Sequence, residues 1–73
     1  MFTDNASVPL NLDYIRKRRI ALKLTQAQAA ERAGFPNLQK WSQYERGRIA
    51  DPQLSTLEAI AKALRCKVAN LLR

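Results

Sequence analysis

The feature that most constrains this chain is a short alanine-rich segment punctuated at both ends. Thr25 can cap a helix start, and Gln28, three residues on, completes a capping box. Gly34 closes the segment with a residue that tolerates the left-handed backbone. Between them stand Ala27, Ala29, Ala30 and Ala33. Such small side chains let a second helix approach closely, so the fold is expected to rest on helices in near contact.

The flanking sequence keeps the helical period. Leu12, Ile15, Arg19 and Leu22 fall on one face of a first helix, with Asn11 as its cap and Asp13 in its first turn. Arg16, Lys17 and Arg18 fall on the opposite face. Phe35-Pro36-Asn37 reads as a turn, and Asn37 can cap a third helix running from Leu38 to Tyr44 or Glu45. At about 100° per residue, Leu38, Trp41, Tyr44 and Glu45 share a broad packing face. Gln39, Gln43 and Arg46 share the other, and Gly47 ends the helix. After a loop over 48–51, Asp51-Pro52 can start a fourth helix, or Ser55 to Glu58 can form a capping box. Its inward stripe is Leu54, Leu57, Ile60, Ala61 and Leu64, and a last short helix carries Val68, Leu71 and Leu72. The predicted fold is all-α: a flexible arm over residues 1–10, broken by Pro9, then one five-helix domain over residues 11–73.

Composition narrows the function. The 73 residues hold 13 Lys and Arg against 6 Asp and Glu, a net charge of +7, which points to a polyanionic partner. With no histidine and one cysteine, Cys66, neither an internal disulfide nor a nitrogen–sulfur zinc cage is expected. Cys66 reads as a small core residue. No run approaches the ~20 apolar residues of a membrane span, and the N-terminus lacks the basic and apolar regions of a signal peptide. A cytoplasmic protein is expected. No paired carboxylates, glycine-rich phosphate loop or activated nucleophile can be found, so no catalytic residue, metal or cofactor is expected.

The ordered set Ile15-Arg16-x-x-Arg19, Leu24-Thr25-Gln26, Ala30-x-x-Ala33-Gly34, Trp41-Ser42-x-Tyr44-Glu45-Arg46-Gly47, Pro52 and Leu57-x-x-Ile60-Ala61-x-x-Leu64 carries a resemblance. Residues 12–72 resemble the Cro/C1-type helix-turn-helix domains of phage repressors and Xre-family regulators. Three departures stand out. The turn before the third helix is one residue longer than usual and contains Pro36; the 48–51 loop is also one residue longer; and Arg65 stands where the family usually has a helix-ending glycine.

The resemblance implies a compact phage-repressor-like fold whose recognition helix, about 38–45, enters the major groove of double-stranded DNA. Gln39 and Gln43, one turn apart, can each pair with the N6 and N7 edge of adenine. Lys40, to one side, suits a base edge or a phosphate. Phosphate contacts are expected from Gln26 and Thr25 at the start of the second helix, and from Arg46, Arg48 and Arg16. The family pattern implies that Arg19 and Glu45 pair as a structural link between helices one and three. It also implies a homodimer, for which Ile49, Val68 and Leu72 are candidate interface residues unless they simply close the core. A repressor of a palindromic operator is therefore expected. An antitoxin that regulates its own operon and binds a toxin protein is one alternative. A helical protein-interaction module without specific DNA binding is another.

Overall fold

The computed structural model describes residues 10–49 and 52–72. Most of the expected arm, and the Asp51 cap, lie outside the described residues.

Three of the helices begin at the predicted caps. Helix α1, Leu12–Ala21, starts after Asn11, whose side-chain oxygen accepts from the Tyr14 N–H at 3.1 Å. Helix α2, Gln26–Ala33, opens with the full capping box. The Thr25 hydroxyl accepts from the Gln28 N–H at 3.1 Å, and the Gln28 side chain accepts from the Thr25 N–H at 2.9 Å. Gly34 ends it at φ 77°. Helix α3, Leu38–Glu45, starts after Asn37, which accepts from the Lys40 N–H at 3.1 Å.

Helix α4 departs from expectation. It spans Leu54–Ala63 with Gln53 at its N-cap and no side-chain cap bond, so the Ser55–Glu58 capping box does not form. The fifth helix is a single 3-10 segment, Val68–Leu71, so the described residues hold four α-helices rather than five. Four residues are too few for a stable α-helix, and the tighter 3-10 turn is the usual solution at that length.

Helix α2 packs on both α3 and α4, while α1 packs on α3 and on the 3-10 segment. The alanines do what their size allows: Ala29 and Ala30 are buried in the contact. Trp41, Ile15, Ile60, Leu64 and Leu71 fill the centre. Leu10, assigned to the arm from sequence, is buried with them. It forms an antiparallel bridge to Leu72, and the Asn11 N–H donates to the Leu71 carbonyl at 2.7 Å. The two ends of the domain are thus tied together. Two expected core residues are exposed instead, Leu38 at 42% and Leu54 at 64%. Both are the first residue of their helix.

Four described residues have positive φ: Lys23 at 60°, Gly34, Gly47 and Arg65, and the last two bear on how the helices meet. Gly47 has φ 73°, and a Cβ there would sit 2.7 Å from Leu12 Cδ1, so glycine brings the end of α3 close against α1. Arg65 adopts φ 53°, the left-handed conformation that favours glycine. Its cost is offset in part by Arg18. The Arg18 guanidinium donates to the Leu64 carbonyl at 2.9 Å and to the Arg65 carbonyl at 3.2 Å, capping the end of α4. Arg18 therefore joins two helices rather than lying on the solvated face of α1.

Candidate nucleic-acid interface

The site is built on α3, and its foundation is the far side of that helix. Glu45 is the centre of the foundation. Arg19 donates through Nε to Glu45 Oε2 at 2.8 Å and through Nη2 to Oε1 at 3.0 Å. The same guanidinium donates through Nη1 to the Leu24 carbonyl at 2.8 Å. Trp41 Nε1 donates to Glu45 Oε2 at 2.6 Å, and the Gln26 amide donates to Oε1 at 3.4 Å. One carboxylate therefore links α1, α2 and α3. The side chains of Arg19 and Glu45 are 14% and 5% exposed, so both charges are withdrawn from water and need each other. Burial alone would raise the Glu45 carboxyl pKa. Hydrogen bonds from Arg19 and Trp41, the Arg19 charge and the Gln26 amide overcome that and hold it below the ordinary glutamate value.

Phe35 fastens the longer turn to this foundation. Its ring lies 5.7 Å from that of Tyr44 and 6.1 Å from that of Trp41. Lys40 then places its Nζ 5.3 Å from the Phe35 ring centroid. Lys40 is exposed but sits on the turn side of α3.

The opposite side of α3 is open. Gln39, Ser42, Gln43, Arg46 and Arg48 line one surface depression of about 320 Å³. Arg48 belongs to it because the backbone folds back after α3: the Arg48 N–H donates to the Gln43 carbonyl at 2.9 Å. Gln39, Gln43, Arg46 and Arg48 are exposed and Ser42 is half-buried. The ion pairs among the described residues are Lys17–Asp13 and Arg19–Glu45, so neither Arg46 nor Arg48 is paired within them. Two primary amides beside two guanidinium groups with no carboxylate partner among the described residues form a hydrogen-bonding surface with excess positive charge. Such a surface matches base edges flanked by phosphates.

The remaining expected residues fall in several places. Arg16 is exposed on α1 and outside the depression. Thr25 is exposed, with its hydroxyl engaged by the Gln28 N–H. Gln26 is half-buried and bonded to Glu45, so it buttresses α3 from the start of α2. Ile49, Val68 and Leu72 are half-buried and pack against the core. Cys66 is half-buried in the same way.

Three contributors were not evident from sequence. Arg18, Phe35 and the exposed Leu38 act through contacts, or lack of contacts, set by the fold. For Leu38 a signal existed, since a residue directly after an N-cap lies at the edge of its helix, where a neighbour covers it poorly.

Among the described residues, no helix is long and apolar enough to cross a membrane. A search of curated proteins found no match. A family model described as a helix-turn-helix domain matches residues 13–73, a span that holds all four α-helices except the first residue of α1. With α2 and α3 joined by a tight turn and packed through buried alanines, the chain belongs to the helix-turn-helix domain family of DNA-binding domains.

Proposed function

We propose that this protein is a sequence-specific regulator of transcription of the Cro/C1 type, a repressor that binds a palindromic operator as a homodimer. Helix α3 enters the major groove. Gln39 and Gln43 read adenine edges, while Arg46 and Arg48 neutralise phosphates beside them. Arg16, Lys40 and the start of α2 at Thr25 and Gln26 add contacts to the backbone. The observation that carries this reading is the single depression in which both amides and both guanidinium groups meet. The net charge of +7 supplies the long-range attraction.

The homodimer follows from the size of the reading surface. One eight-residue helix covers only a few base pairs, so two copies are required on half-sites about 34 Å apart. Ile49, Val68 and Leu72, each partly exposed, are assigned to the contact between copies.

A footprint on the DNA upstream of the protein's own gene tests the proposal. Protection of a palindromic site at moderate salt, with much weaker binding to random duplex, is the expected result. Equal affinity for both would refute sequence-specific regulation.

A further inference from the structure

Leu38 stands at the start of α3, directly before Gln39, and 42% of its surface is exposed. The packing of α3 is carried elsewhere, by buried Trp41 and Tyr44. Leu38 forms the rim of a second depression, about 410 Å³, together with Ala27, Ala30, Phe35, Pro36 and other residues of α2 and the turn. Among the described residues that line it, Glu31 is the one charged side chain, and Lys40 Nζ stands beside the depression over the Phe35 ring. The exposed side chains therefore change character along this surface: guanidinium groups at Arg46 and Arg48, an aliphatic group at Leu38.

That position matters because the first turn of a recognition helix penetrates deepest among base edges. An exposed apolar side chain there has one complementary feature in the major groove, the C5-methyl group of thymine. Adenine and guanine present polar groups, and cytosine lacks the methyl group beside its amino donor, so each would leave Leu38 against groups that need hydrogen-bond partners. We propose that Leu38 is a specificity-determining residue that selects thymine in the half-site, next to the base pair read by Gln39. The inference rests on the reading of α3 as the recognition helix and adds a base preference to it.

The test begins with selection of preferred sequences from a random duplex pool by the intact protein. Each thymine of the selected half-site is then replaced singly by deoxyuridine, which removes only the methyl group and leaves base pairing intact. Affinities are measured for the wild-type protein and for Leu38→Ala, with a thermal melt confirming that the variant is folded. One deoxyuridine position is expected to weaken wild-type binding about fourfold, the effect of withdrawing one buried methyl group. The same replacement is expected to leave Leu38→Ala binding unchanged. A selected half-site without thymine would overturn the inference. So would wild-type affinity indifferent to every deoxyuridine, or a penalty that persists in Leu38→Ala. In those cases a strong selected sequence would still stand for α3 as a reading helix. If the pool yields no preferred sequence, recognition by α3 and the role of Leu38 fail together.

Discussion

The two sides of α3 have opposite relations to the rest of the molecule. On one side Trp41 and Glu45 bond to each other inside the fold, and Tyr44 is buried beside them. Glu45 alone receives hydrogen bonds from three residues on three helices. On the other side Gln39, Gln43, Arg46 and Arg48 lie exposed around one depression. The helix is eight residues long, so the two sides are separated by only its width. The contrast teaches that the amides can be held in a fixed position because the other side is committed. Precise presentation of a reading surface needs a rigid support whose own side chains are already engaged.

Breaking the committed side should give the largest effect. Glu45→Ala strands the Arg19 guanidinium in a poorly solvated site and removes the acceptor of Trp41 Nε1. A loss of about 3–5 kcal/mol in denaturant-induced unfolding is expected, enough to threaten a domain of this size. The same carboxylate makes stability sensitive to acid. Its pKa is lowered in the folded state, so its contribution is complete above the unfolded value of about 4.3. That contribution is lost as pH falls below this value and through the folded one. A Glu45→Gln variant should be less stable near neutral pH and should show a smaller further loss on acidification, as followed by thermal melts across pH.

The open side should respond in binding and not in folding. Arg46→Ala and Arg48→Ala should weaken binding to preferred and random duplex alike, and each should lower the salt dependence of affinity by about one unit of slope. Their melting temperatures should stay close to that of the parent protein. The smallest effect is expected from the exposed pair Lys17–Asp13, whose side chains are 76% and 63% exposed. Lys17→Ala should change stability by no more than about 0.5 kcal/mol. A larger change would mean that burial is not what separates Arg19–Glu45 from an ordinary surface pair.

What could be read from the sequence divides along physical lines. Local signals held for the first three helices and failed at α4, where the Ser55–Glu58 capping box does not form. Asn11, Thr25 and Asn37 cap helices because each needs only a backbone N–H three residues away. The Arg19–Glu45 pair was legible from family pattern, and its geometry is now on hand. Long-range contacts were not legible. Arg18 looks like one more surface cation until α4 ends beside it, 46 residues away in sequence. Leu10 looks like part of an arm until Leu72 pairs with it. Periodicity also misplaced Leu38 and Leu54, because it assigns a face to a residue without saying where the neighbouring helix stops. In the site, the outward direction of Gln39 and Gln43 followed from helix geometry alone. Their meeting with Arg48 did not, since it depends on the bend after Gly47.

The most direct test replaces both amides at once. The Gln39→Ala/Gln43→Ala protein should melt like the parent, because neither side chain is needed inside the fold. It should keep weak, salt-sensitive binding to any duplex but lose roughly 1–3 kcal/mol per amide on the preferred sequence. If the double variant remains folded and still discriminates that sequence from random duplex as strongly as the parent, the exposed side of α3 is not the surface that reads DNA.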